Sequence, residues 1–98
     1  MVVEDDKGLR HTLTATLRAE GYFPDEAGSV FAANERISEN KPDLIVLDLG
    51  LPDGDGMTLL ADLRGAGDLT PVIVLTARGD EESKVRALDL GADDYVTK

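Results

Sequence analysis

A chain of 98 residues makes one small domain with a modest core. It holds no cysteine, which excludes a disulfide framework and thiolate metal sites, and no apolar run nears the ~20 residues that span a bilayer. Twenty acids against ten Lys and Arg give a net charge of −10, which repels phosphate backbones and argues against nucleic-acid binding by these residues, while suiting a site that gathers a divalent cation. Met1-Val2-Val3-Glu4 lacks a basic stretch followed by an apolar one, so no secretory signal is expected there, and the expected setting is the cytoplasm, with no membrane contact.

Val2-Val3 before Glu4-Asp5-Asp6 reads as a brief apolar strand ending in acids. Residues 7–20 read as a helix: Leu9, Leu13 and Leu17 recur every fourth position with Thr16 alongside, Asp5 or Asp6 is the N-cap, and Gly21 takes the left-handed residue that ends it. His11, the one histidine, reads as a surface residue of this helix. Residues 22–27 are expected as a weak strand at a sheet edge, where the N–H that Pro24 lacks costs little. Ser29 caps a second helix running to about residue 40, with Val30, Ala33 and Ile37 as its apolar stripe.

Lys41-Pro42-Asp43 turns into the central stretch. Leu44-Ile45-Val46-Leu47 runs without a polar break and stops at Asp48; Gly50, Pro52, Gly54 and Gly56 follow as a loop. A short, uniformly apolar run bounded by turn residues fits a parallel strand buried on both faces. Such a strand delivers its last residue to the carboxyl edge of the sheet, where open α/β folds keep their sites, which makes Asp48 the first candidate for chemistry. Residues 57–64 form a third helix with Leu59, Leu60 and Leu63 on one side, ended by Gly65-Ala66-Gly67. Pro71-Val72-Ile73-Val74-Leu75-Thr76 is a second continuous apolar strand, this one ending in a hydroxyl. After a loop over 77–80, residues 81–90 form a fourth helix with acids in its first turn, Val85 and Leu88 as its apolar positions, and Gly91 past its end. Asp94-Tyr95-Val96-Thr97-Lys98 opens a fifth strand.

The order β-α-β-α-β-α-β-α-β, with short connections, gives an open, doubly wound parallel sheet with helices on both faces. Strands one, three, four and five end at Glu4-Asp5, Asp48, Thr76 and Lys98, which gathers three carboxylates, a hydroxyl and an amine on one sheet edge. Carboxylates packed together are driven toward protonation unless a cation compensates, and oxygen ligands with room for water suit Mg²⁺. A metal and a lysine beside a nucleophilic carboxylate are a device for phosphoryl transfer, with an aspartyl-phosphate as product.

Together Val2-Val3-Glu4-Asp5-Asp6, Leu44-Ile45-Val46-Leu47-Asp48 with Leu51-Pro52-Asp53-Gly54-Asp55-Gly56, Val74-Leu75-Thr76-Ala77 and Gly91-Ala92-Asp93-Asp94-Tyr95-Val96-Thr97-Lys98 resemble the receiver domain of two-component response regulators, most closely the transcription-factor subfamily with a winged-helix output domain. The resemblance covers the whole chain and implies a flavodoxin-like α/β fold, a five-stranded parallel sheet in the order 2-1-3-4-5. It implies a signalling switch and not an enzyme: Asp48 would accept a phosphoryl group from a partner histidine kinase with Mg²⁺ as cofactor. Asp5 would be a direct metal ligand, Glu4 one through water, and the Gly50 carbonyl would complete the protein's share of the shell. Asp6 would belong to the first helix cap and stay outside it. Thr76 and the Ala77 N–H would bond the phosphoryl oxygens, Lys98 would pair with their charge, and Tyr95 would be the switch aromatic that turns inward as Thr76 moves. Lys84, Asp93 and Asp94 resemble the charges that the subfamily uses for dimer pairing on the face of the fourth helix and fifth strand.

The family continues past that lysine with a Pro, a loop and a fifth helix, so the 98 residues are expected to be an incomplete receiver domain without its output domain. Apolar residues of strands one, four and five are expected to face water in that case, which favours a homodimer or a swapped oligomer. Two other classes fit less of the pattern. A P-loop NTPase would need G-x-x-x-x-G-K-[ST], which does not occur, and a calcium loop read from Asp53 has Thr58 where glycine is required. The alternative function is a metal-dependent hydrolase of the aspartyl-phosphate type, which usually presents a second acid two residues after the nucleophile, where this chain has Gly50.

Overall fold

A computed structural model describes residues 1–51, 53–77 and 79–98; Pro52 of the glycine-rich turn and Arg78 of the loop after Thr76 lie outside them. Strands β1 (Val2–Val3), β2 (Glu26–Ala27), β3 (Ile45–Asp48), β6 (Val72–Thr76) and β7 (Asp94–Thr97) form one parallel sheet in the order β2-β1-β3-β6-β7, which is the expected 2-1-3-4-5 arrangement. Between them run α1 (Lys7–Ala19), α2 (Val30–Glu39), α3 (Gly56–Gly65) and α4 (Glu81–Asp89). The expected glycine-rich loop is more ordered than a loop: Gly50–Leu51 (β4) and Gly54–Asp55 (β5) pair antiparallel as a small hairpin. Among the described residues no helix is long and apolar enough to cross a membrane.

The core sits where the continuous apolar runs meet. Ile45 and Leu47 of β3, Val72 and Val74 of β6, and Leu59 and Leu60 of α3 are essentially inaccessible to solvent. The register Ile45↔Val72 through Asp48↔Leu75 carries the two runs side by side to the same edge. Each helix starts on a side-chain cap: Asp6 accepts from the Leu9 N–H, Ser29 from Ala32, Asp55 from Met57 and Asp80 from Ser83. Such caps satisfy donors that the first helical turn leaves open. Gly21 and Gly91, both at positive φ, end α1 and α4 as expected.

Four expectations are corrected. The second strand is shorter than residues 22–27: the Tyr22 N–H turns back to the Leu17 carbonyl at 3.0 Å, Pro24 cannot donate, and only Glu26–Ala27 pairs, at the sheet edge. On α1 the fully buried side chain is Thr14, its hydroxyl satisfied by the Arg10 carbonyl at 2.7 Å, while Leu9, Leu13 and Leu17 are half-buried and Thr16 is exposed. On α4, Val85 and Leu88 are exposed and Ala87 is the buried residue, on the helix that packs against β6 and β7. Strand one does not face water: β1 lies between β2 and β3 beneath α1, and Val2 and Val3 are fully buried. Among the apolar residues of strands four and five, Val96 and Tyr95 are exposed and Ile73 is half-buried.

One glycine is required by a close approach. A Cβ at Gly56 would lie 2.5 Å from the Asp48 carbonyl oxygen and 3.0 Å from Leu49 Cα, both backbone atoms that cannot move aside. Gly56→Ala is therefore expected to destabilise the fold by about 1–3 kcal/mol through overpacking. Gly65→Ala, where nothing lies within 4 Å, is expected to stabilise it by about 0.5–1 kcal/mol, since glycine is the poorer helix residue. Urea unfolding of the two variants checks the contrast.

Candidate functional site

Parallel pairing brings the strand tips together. Glu4 and Asp5 follow β1 directly, with the Glu4 N–H bonded to the Ala27 carbonyl at 3.0 Å. Asp48 closes β3, and Thr76 closes β6 one residue beyond the Asp48↔Leu75 pair. The Lys98 N–H donates to the Thr76 carbonyl at 2.8 Å, which carries the β6–β7 ladder one step further and sets the lysine beside the acids.

The structure places Glu4 and Asp48 in the interior, at 0% and 3% exposure, and Asp5 at the surface beside them. One carboxylate oxygen from each of Glu4, Asp5 and Asp48 falls within 4.8 Å of the others. Lys98 Nζ bridges the buried pair, 2.9 Å from Asp48 Oδ1 and 3.3 Å from Glu4 Oε1. The Gly50 N–H also donates to Asp48 Oδ1, at 3.2 Å. Among the described residues, the buried side-chain atoms with no hydrogen-bond partner are Glu4 Oε2, Asp48 Oδ2 and Thr76 Oγ1, all at this one edge. Buried oxygens of this kind are costly unless something bonds them. Oxygen donors with bonding capacity to spare on neighbouring strand tips fit a small hard cation, so the residues present suit Mg²⁺.

The charges are coupled. Burial first, and then the adjacent Asp48 carboxyl, push Glu4 up to about 7 against the pull of Lys98. Burial opposes ionisation of Asp48 as well, but bonds from Glu4, Lys98 and Gly50 outweigh it and hold that carboxyl below its ordinary value. Lys98 is likewise raised: burial disfavours its charge, and Asp48 and Glu4 more than compensate. The two buried acids are thus pushed apart, Glu4 up and Asp48 down, so that Glu4 is the first of the pair to take a proton.

A cleft of about 500 Å³ opens beside Asp48, with Gly50, Thr76, Ala77 and Lys98 among its lining. Asp80, which caps α4, and Ser83 and Arg86 within it line the cleft too; none of the three was singled out in the sequence, where only Val85, Leu88 and the first-turn acids mark this helix. Tyr95 lies outside the cluster, 38% exposed, with Lys84 Nζ 4.9 Å from its ring centroid and 3.1 Å from Glu81 Oε1. Of the charges assigned to a dimer face, Asp93 is partly engaged within the fold: its Oδ2 accepts from the Val72 N–H at 2.8 Å and pairs with Arg64 at 3.3 Å, while its side chain stays 54% exposed. Asp94 Oδ1 accepts from the Tyr95 N–H at 2.8 Å and is exposed.

The raised Glu4 has a signed consequence. Without metal, the folded chain keeps a proton that the unfolded chain releases near pH 4.5, so this group lowers stability as pH rises from there to about 7. In chelator-treated buffer, Glu4→Gln is expected to gain stability relative to the wild type across that window. A difference between the two that stays constant in pH-dependent urea unfolding would contradict the assignment.

The description "Response regulator receiver domain" matches residues 1–98. The chain is 46% identical over 98 residues to the KDP operon transcriptional regulatory protein KdpE of Escherichia coli, covering 100% of this chain and 43% of that protein. It is 45% identical to the virulence transcriptional regulatory protein PhoP of Salmonella typhimurium, again over 100% of this chain and 44% of that protein. It thus spans less than half the length of the curated relatives it matches. The receiver domain of the Francisella response regulator 1452 superposes with a TM-score of 0.92 at 36% identity, over 99% of this chain and 80% of that one. With the parallel sheet, the buried acids and the bridging lysine in place, the chain belongs to the response regulator receiver domains, the phosphorylation-activated switches of two-component signalling.

Proposed function

We propose that Asp48 is the phosphoacceptor, that Mg²⁺ assists it, and that a sensor histidine kinase supplies the phosphoryl group in the cytoplasm. The observation that carries this reading is the set of unpartnered buried oxygens on Glu4, Asp48 and Thr76 around the Lys98 amine. Asp5 and Asp48 would hold the metal directly with the Gly50 carbonyl, and Glu4 through water. Bound there, Mg²⁺ would neutralise charge on the transferring group. The hydrolase alternative is set aside by the family and by Gly50, which stands where that class places its second acid.

The chain's own residues account for the transfer. An Asp48 oxygen forms a bond to phosphorus while the bond from phosphorus to the donor's imidazole nitrogen breaks, the nitrogen keeping the electron pair. The Thr76 hydroxyl, at the end of β6 and without a partner, donates to a phosphoryl oxygen with the Ala77 N–H beside it. Lys98 exchanges its contact with the Asp48 carboxylate for the phosphoryl charge.

The switch has a physical size. Phosphorylation adds about −1.5 to −2 charge, and turning a mostly inactive population into a mostly active one takes about 5.5 kcal/mol of differential stabilisation. Charge-assisted bonds of about 1.5–3 kcal/mol each, from Thr76, Lys98 and the metal, reach that order. Tyr95, now outward beneath Lys84, would follow Thr76 inward and change the α4–β7 surface. That surface, with exposed Val85, Leu88 and Val96 among Lys84, Asp93 and Asp94, is the proposed homodimer face. The 98 residues would be the receiver portion of a transcriptional regulator of the KdpE and PhoP kind, with its output domain outside them.

Incubated with Mg²⁺ and acetyl phosphate, the intact protein is expected to gain one acid-stable, base-labile phosphoryl group, and Asp48→Asn none. Equal labelling of the two would overturn the site. Sedimentation checks the apolar face: self-association that weakens in Val85→Ser is expected, whereas a monomer at every concentration would remove the dimer.

A further inference from the structure

We propose that Asp53 is a positioning residue for the metal-side loop: its carboxylate ties the β4–β5 hairpin to the start of α2 and thereby holds Gly50 where it serves the Asp48 site. The inference rests on the proposed roles of Gly50 and Mg²⁺ and adds a residue that neither the strand tips nor the cleft lining includes. Two residues per strand is too little pairing for a hairpin to hold itself in water. The hairpin nonetheless begins at Gly50, the residue whose N–H bonds Asp48 Oδ1, so its placement is the placement of one wall of the site. Asp53 supplies the missing anchor across more than twenty residues of chain. Its Oδ1 accepts from the Val30 N–H at 2.8 Å and its Oδ2 from the Phe31 N–H at 3.1 Å.

Helix α2 does not need Asp53 in order to begin. Ser29 already caps it through the Ala32 N–H at 3.1 Å, and Asp53 takes two first-turn donors that this cap leaves open. Next to it, Gly54 lies so close to α2 that a Cβ there would be 3.3 Å from Val30 Cγ2, so the hairpin rests on the helix as well as bonding to it. The bonds from Val30 and Phe31 hold the Asp53 carboxyl below its ordinary value although it is exposed. The hairpin is thus paired at Gly50↔Asp55 and Leu51↔Gly54 and tied to α2 at its tip by both Asp53 oxygens.

The test separates a loop latch from a second helix cap. Mg²⁺ is titrated calorimetrically into the intact wild type, Asp53→Ala and Ser29→Ala, and amide exchange at Gly50 and Leu51 is followed in each. Removing a group that orients metal ligands without touching the metal typically weakens binding by 10-fold or more, so about 10-fold weaker Mg²⁺ is expected for Asp53→Ala. Gly50 and Leu51 should exchange faster in the same variant. Ser29→Ala, which loosens α2 but leaves the hairpin tied, should match the wild type in both. Asp53→Asn, which keeps one acceptor, should fall between and carries the test if the alanine variant does not fold. Wild-type Mg²⁺ affinity and exchange in Asp53→Ala, or equal losses in Ser29→Ala, overturn the latch. Faster exchange in Asp53→Ala alone, with no Mg²⁺ binding by the wild type, supports the latch and overturns the metal assignment instead.

Discussion

Two carboxylates buried side by side are the constraint around which this molecule is arranged. Glu4 and Asp48 occupy neighbouring strand tips, shielded from water, and the single amine of Lys98 spans them. Like charges in such a place cannot both ionise without compensation: burial and the neighbouring Asp48 raise Glu4 to about 7, and the Lys98 ammonium lies against Asp48. The arrangement is stable but incomplete, because each carboxylate keeps one oxygen with nothing to bond. Those unpartnered oxygens, together with Thr76 Oγ1, are where this sheet edge keeps bonding capacity to spare.

The acidic surplus of the chain is divided between two kinds of work. Glu4, Asp5 and Asp48 gather at the sheet edge, whereas Asp6, Asp53, Asp55 and Asp80 accept from backbone N–H groups at helix starts. Negative side chains at helix N-termini also complement the dipole, so these acids stabilise the helices whose ends surround the site. A net charge of −10 therefore does not by itself mark a cation site, since several of its contributors are occupied in holding the scaffold.

The strands whose function depends on being buried were the most legible. The unbroken apolar runs ending in Asp48 and Thr76 need both faces covered, and that need gave their position and the residues at their tips, while their register is seen only in the structure. The helix starts were legible for a similar reason, because Ser29 has a cap's chemistry wherever it occurs. What periodicity misjudged was the outward side of the helices. Val85 and Leu88 recur as a buried pair would, yet the contact with the sheet is made by Ala87, whose small size lets the helix approach. Thr14 was passed over because a hydroxyl looks polar until its own helix satisfies it. The hairpin after Asp48, and the reach of Asp53 across to α2, depend on contacts between segments far apart in sequence, which no local pattern encodes.

The bond from Lys98 to Glu4 joins residues 94 positions apart. Closing a longer loop costs more entropy, and the strands β3 and β6 that stand between β1 and β7 in the sheet are what hold the two ends together. The cluster of Glu4, Asp48 and Lys98 therefore exists only where those strands are paired. A copy in which that pairing is lost keeps each of the three residues but not their meeting place.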